Sequence, residues 1–108
     1  MSKVKIIVTS PAESSDKIRQ ALGEAGAGVI GEYDFCSTTI KSEGRFKPSD
    51  KANPYIGKVG QLETVEEDRI EVTCDRGIAK GVIAKLREAH PYEEPAIDII
   101  PLIEESEL

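Results

Sequence analysis

The side chains best suited to chemistry sit together near the end of the chain, in "REAHPYEEPAIDIIPL", residues 87–102. His90, the only histidine, is followed by Pro91, Tyr92, Glu93, Glu94 and Pro95. Imidazole and carboxylate together suit zinc or copper, so His90, Glu93 and Glu94 are candidate ligands for a divalent metal. With Tyr92 they form the candidate ligand-binding residues of the chain. One histidine with adjacent carboxylates falls short of the four ligands that structural metal sites collect, so such a site would need completing, as across a subunit interface. The competing reading is structural. A histidine at a helix C-terminus favours the dipole when protonated, a proline just beyond stops the helix, and a tyrosine offers apolar area with a polar tip. Clustered polar residues arise in structural networks as well as in sites.

Other catalytic templates are missing. "GEAGAGVIG" (residues 23–31) follows a helical pattern and precedes a strand, whereas a dinucleotide fingerprint needs strand, glycines and then helix. The sequence has no Walker loop, GxSxG elbow or HExxH. Glu66-Glu67 and Glu93-Glu94 read as solvated faces or local ion pairs rather than a general acid/base pair. The expectation is a protein that is not an enzyme by itself, with a divalent metal as the cofactor its polar cluster would take.

The elements that must position this cluster follow from periodicity. "KVKIIVT" (3–9) places Val4, Ile6 and Val8 on one face of a strand. Ser10, Pro11 and Glu13 read as the cap and capping box of a helix whose stripe is Ile18, Ala21, Leu22 and Ala25, closed by "GAG" at 26–28. A second strand is expected over 29–40, then a Gly/Pro-punctuated loop over 42–60, where Pro48 and Pro54 break regular structure. The third strand lies within 62–74, with Ile70, Val72 and Cys74 alternating with Arg69, Glu71 and Thr73. Asp75 can cap a second helix starting near Gly77, with stripe Ala79, Val82, Ile83, Leu86 and His90. Pro91 ends it, and 96–103 is the last strand, before a polar tail "EESEL". The predicted fold class is α+β: one domain over 1–108, a ferredoxin-like β-α-β-β-α-β sandwich with two helices on one face of a four-stranded antiparallel sheet. Ile7 and Ile99 suggest apolar residues on both sides of the first and last strands. An uncovered apolar sheet face is relieved by oligomerisation.

Composition narrows the partners. A net charge of −6 from 14 basic and 20 acidic residues disfavours nucleic acid and anionic membrane surfaces. The N-terminal "MSKVKIIVTSPAES" is neither a signal peptide nor a membrane span, which points to a cytoplasmic protein. Cys36 and Cys74 have no metal or redox spacing and are expected to be reduced and buried.

Four segments, "GAGVIGEYDFCS", "GRFKP", "ANPYIGKVGQLETVEEDRIEV" and "AHPYEEPAIDIIPL", together resemble the YqfO-type domain, which is inserted in proteins of the Ngg-interacting-factor-three family and also occurs as a free-standing chain. The resemblance runs from about residue 3 to 103. Gly26, Gly28 and Gly31 match its "GAGxIG" turn; Phe46, Pro48, Ala52, Pro54, Gly57 and Gly60 its long loop; Arg69 and Glu71 its "RIE"; and His90 through Pro95 its terminal motif. The "HPYE-P" segment also resembles the end of CutA proteins, which are linked to divalent-cation tolerance. The resemblance implies a CutA/PII-like homotrimer. The dinuclear metal site of the full-length family is implied to lie in flanking domains outside these residues. Two departures are visible: Ile40-Lys41-Ser42-Glu43 leaves only Gly44 before the loop, and "PSDKA" replaces a glycine-rich turn. Relative to CutA, a "YxWxGK" stretch is missing, and the chain has no tryptophan.

Three functions follow as expectations: a trimeric binding or regulatory module with its site near loop 42–60 and residues 90–94, a copper- or zinc-binding CutA-like protein concerned with metal-ion tolerance, or an interaction subunit for a separate metal-dependent hydrolase.

Overall fold

The computed structural model describes residues 2–108. Strand β1 (Lys3–Pro11) leads through a single 3-10 turn, Ala12–Ser14, into helix α1 (Ser15–Glu24); β2 (Thr38–Phe46) and β3 (Glu63–Asp75) form a long hairpin; α2 (Arg76–Ala89) and β4 (Ile97–Leu102) complete the chain. The order is the expected β-α-β-β-α-β. The sheet is antiparallel throughout, with strands in the order β2-β3-β1-β4.

Strand alternation decides what each face carries. Val4, Ile6 and Val8 pair with Cys74, Val72 and Ile70, and all six turn toward the helices. There they meet Ile18 and Leu22 of α1 and Ala79, Val82 and Leu86 of α2, the predicted stripes of both helices, in a single core. Ile6, Val8, Ile18, Ile70 and Leu86 are wholly shielded from solvent. Truncating any of these leucines or isoleucines to alanine would cost about 2–5 kcal/mol. The outer face carries Lys5, Ile7 and Thr9 of β1 beside Arg69, Glu71 and Thr73 of β3. Among the described residues no helix covers it; loop 47–62 and Tyr92 overlie only one end, and elsewhere it exposes Ile40 of β2 and Ile100 of β4.

Four local expectations are corrected. Ser10 does not cap α1, because β1 continues through Pro11 and the helix begins only at Ser15. Ser10 is instead buried: its hydroxyl lies 2.9 Å from that of Ser15, which donates to Asp68 at 2.6 Å, while Lys41 donates to the other oxygen of Asp68 at 2.9 Å. Asp75 precedes α2 as expected, but its carboxylate takes Lys3 at 2.7 Å and not the helix amides. The second strand is shifted: residues 29–37 form a loop holding only an isolated Ile30–Tyr33 bridge, and the regular strand covers 38–46, part of which reads as loop in the sequence. Turn geometry explains the shift. Gly28 and Gly31 take positive φ, and so does Phe35 at 58°, which extended pairing does not allow. Cys74 is buried as expected, with burial pushing its thiol pKa up, but Cys36 is partly exposed in that loop.

Candidate functional site

Helix α2 stops at Ala89, and His90 turns into extended backbone with φ −82° and ψ 135°, as the following proline requires. The imidazole stays on the buried side and is 7% exposed. Its Nε2 lies 2.8 Å from the carbonyl of Thr9 on β1, and its Nδ1 accepts the amide of Tyr92 at 3.1 Å. A carbonyl only accepts, so Nε2 carries the proton, and the ring is the neutral tautomer. Desolvation pushes its pKa below the ordinary histidine value, outweighing the hydrogen bond to Thr9 and the charge of Glu67. His90 is therefore a neutral clamp between β1 and the helix exit rather than a cation on the helix dipole.

This clamp aims Tyr92. Its ring lies 4.9 Å from that of His90 and 6.2 Å from that of Tyr55, centroid to centroid. Its hydroxyl donates to Glu67 Oε2 at 2.7 Å. Glu67 lies on the outer face of β3, 8% exposed, opposite Pro11 of β1 and Ser42 of β2. Its side chain extends over Gly44, where a Cβ would collide with Oε1. Burial first, and then the bond to Glu67, raises the Tyr92 phenol far above the ordinary tyrosine pKa.

Above this pair lies an open cleft of about 490 Å³. Thr9, Ser42, Gly44, Glu67 and Arg69 of the sheet form part of it, Phe46, Pro54 and Tyr55 another part, and Tyr92, Glu93 and Glu94 the rest. The long connection 47–62 is pinned over it. The Asn53 amide donates to Glu93 Oε1 at 2.9 Å, and the Gly60 amide closes the loop on the carbonyl of Pro48 at 2.9 Å. Glu94 pairs with Arg87 at 3.3 Å.

Of the four residues singled out in the sequence, Tyr92, Glu93 and Glu94 line the cleft, while His90 sits beneath it and supports Tyr92. As metal ligands the set fits poorly, since both ring nitrogens are committed to backbone partners and the two glutamates to an amide and an arginine. Among the described residues no three His, Cys, Asp or Glu side chains group closely enough to hold a metal ion. Glu67 corrects its reading as a solvated acid. It is the buried polar residue of the site, and Gly44 is what makes room for it. Tyr55 and Phe46 also went unselected, since an aromatic in a loop or at a strand end carries no periodic signal. The available hint was Gly44 itself, a glycine inside a strand pattern, which marks close approach of another group.

No protein-family model matches the sequence. Among curated proteins, the GTP cyclohydrolase 1 type 2 homolog of Halalkalibacterium halodurans is 47% identical over 106 residues, covering 98% of this chain and 28% of the relative. The chain thus spans little more than a quarter of the length of the curated relatives it matches. Among solved structures, the Bacillus cereus protein related to NIF3 superposes with a TM-score of 0.84 at 39% identity, over 95% of this chain and 26% of that one. The periplasmic divalent cation tolerance protein CutA of Archaeoglobus fulgidus superposes with a TM-score of 0.70 at 20% identity, over 94% of this chain and 85% of that one, which shows the shared fold. No helix among the described residues is long and apolar enough to cross a membrane.

Proposed function

Given that the chain belongs to the YqfO-type, CutA-like domains, homologous to one segment of the GTP cyclohydrolase 1 type 2 homologs, we propose that it is a non-enzymatic binding or regulatory module, assembled as a homotrimer, that takes a small ligand in the cleft above Tyr92 and Glu67. One observation carries this reading. Two stretches far apart in sequence, the β2–β3 hairpin with its loop 47–62 and residues 92–94 beyond α2, converge on one cleft and are tied to each other there by the Tyr92–Glu67 and Asn53–Glu93 bonds. Clefts lined mostly by apolar and aromatic groups with a few placed polar ones are the usual form of small-ligand sites. The groups that line the cleft suit holding rather than turnover, because the one histidine of the chain is occupied on both ring nitrogens and cannot serve as a free base there. Assembly is supported by the uncovered outer sheet face with Ile40 and Ile100 about half exposed. Native mass spectrometry of protein purified without chelator tests both parts. The expected result is a trimer carrying a small-molecule mass that is lost in Tyr92→Ala. A monomer, or a bound mass indifferent to Tyr92→Ala, would overturn the corresponding part.

A second observation favours a role as an interaction subunit. Both ends of the domain leave from the same pole, where Lys3 pairs with Leu102. Val29, Ile30, Tyr33, Phe35, Ile78 and Ile103 are all exposed in the segments at this pole. In the relatives the matched segment is about a quarter of a longer chain, so the rest of that chain must join the segment at one or both of its ends. The partner this surface fits is therefore a protein with the relatives' flanking segments. Mixed with the Halalkalibacterium halodurans relative deleted of its matching segment, the chain is expected to co-elute in gel filtration, and Ile30→Asp to abolish this. Failure to co-elute with a folded deletion variant would end this reading.

A further inference from the structure

Resting on the cleft as the ligand site, we propose that its ligand is an aromatic cation, with an amidinium or ammonium group on Glu67 and a flat ring among Phe46, Tyr55 and Tyr92. Glu67 is only 8% exposed, and burying a carboxylate is costly unless its oxygens are satisfied. One oxygen is satisfied: Oε2 accepts the Tyr92 phenol at 2.7 Å. Among the described residues no donor reaches Oε1, which overhangs Gly44 where no Cβ competes for the space. No side-chain oxygen in the described protein is both sealed from solvent and unpaired, so Oε1 is open, and its opening is the cleft. A buried carboxylate with one oxygen committed and one offered is a receptor for an N–H donor, best a charged one.

The surroundings select the sign of the ligand. Glu43, Glu67, Glu93 and Glu94 line the cleft against Arg45 and Arg69, and Arg69 is held at 3.1 Å by Glu71 on the sheet. The walls are thus acidic, which attracts cations and opposes phosphates and carboxylates. Tyr55 and Tyr92, tilted by 51° with centroids 6.2 Å apart, present ring surfaces to the same space, and aromatic faces add attraction for a cation and its ring. The acids at the mouth would not suffice alone, since Glu93 is bonded to the Asn53 amide and Glu94 to Arg87; the buried Glu67 fixes the class.

The test is an NMR titration of the intact protein with three probes of one shape: benzamidinium, benzyl alcohol and benzoate. Benzamidinium is expected to shift the amides of residues 44, 55, 67 and 92 and to bind at least about tenfold tighter than the other two. Glu67→Gln is expected to weaken it by about tenfold to a hundredfold, the worth of a charge-assisted hydrogen bond, while leaving benzyl alcohol unchanged. Where Glu67→Gln does not fold, Gly44→Ala displaces Oε1 and serves the same purpose. Equal or tighter binding of benzoate or benzyl alcohol in the cleft overturns the aromatic-cation assignment and leaves the cleft as the site. No shift with any probe overturns both.

Discussion

The phenol of Tyr92 donates a 2.7 Å hydrogen bond to Glu67 Oε2, joining the segment that leaves α2 to the outer face of β3. Burial first, and then the bond and charge of Glu67, which an ionised phenol would face directly, hold its pKa well above the ordinary tyrosine value of 10.0. An ultraviolet titration is expected to show one phenol, missing in Tyr92→Phe, that ionises last. In Glu67→Gln its pKa falls, while desolvation still holds it above 10.0, because burial is the larger cause. A Tyr92 that ionises in the ordinary range in the wild type would show that the bond does not form in solution.

Gly44 is tied to the same pair. A methyl group there would meet the far end of the Glu67 side chain, a flexible tip that can swing away. Gly44→Ala is therefore expected to cost less than about 1 kcal/mol of stability, within the range of ordinary surface substitutions. It is also expected to pull Glu67 off Tyr92, lowering the Tyr92 pKa as Glu67→Gln does. Chemical denaturation and the phenol titration together check this. A large stability loss with an unchanged titration would mean that the strand, not the carboxylate, needs the glycine.

Much of the fold was legible because burial imposes a period. Val4, Ile6 and Val8 at every second position, and Ala79, Val82 and Leu86 along a helical stripe, state their own geometry. The terminal cluster was legible as well, and three of its four residues do line the cleft. What stayed hidden depends on contacts between distant segments. Glu67 looks like half of an exposed acidic pair until Tyr92, 25 residues on, reaches it. The displaced start of β2 is a turn problem, since Phe35 adopts a left-handed φ that its residue type does not announce, with its ring laid over Gly23 of α1. Ser10 reads as a capping residue because its true partner is Ser15, whose own bond to Asp68 spans 53 positions.

That bond yields a stability prediction. Asp68 is 4% exposed, and its carboxyl is held below the ordinary carboxylate pKa by Ser15 first and Lys41 second. Lys41 is largely solvated, so its ion pair adds at most about 1 kcal/mol. The buried bond to Ser15 matters more, and Asp68→Ala, which also strands the Ser10–Ser15 hydroxyls, is expected to cost about 1–3 kcal/mol. Because the native pKa is depressed, this contribution is present above the ordinary value of 3.8 and is lost as pH falls through the native one. Urea unfolding of wild type and variant at pH 7 and pH 3 checks both points: the gap between them should narrow in acid.

His90 sets a second acid sensitivity at higher pH. Its ring is neutral in the folded protein, with Nε2–H on the carbonyl of Thr9 and Nδ1 accepting from Tyr92. Protonation must displace the Tyr92 amide and place a charge in a site where desolvation disfavours it, although Glu67 nearby partly offsets that cost. The unfolded chain gains its proton near the ordinary value of 6.5, before the native state does. Stability from this group is thus full above that value and is lost as pH falls through it toward the lower native pKa. Urea unfolding from pH 7.5 to pH 5 should therefore show a decline in the wild type that His90→Asn largely removes. The same descent should loosen Tyr92, since its amide loses its acceptor, and with it the cleft. A wild-type profile parallel to that of His90→Asn across this range would mean that His90 keeps an ordinary pKa and does not hold the segment in the way its hydrogen bonds indicate.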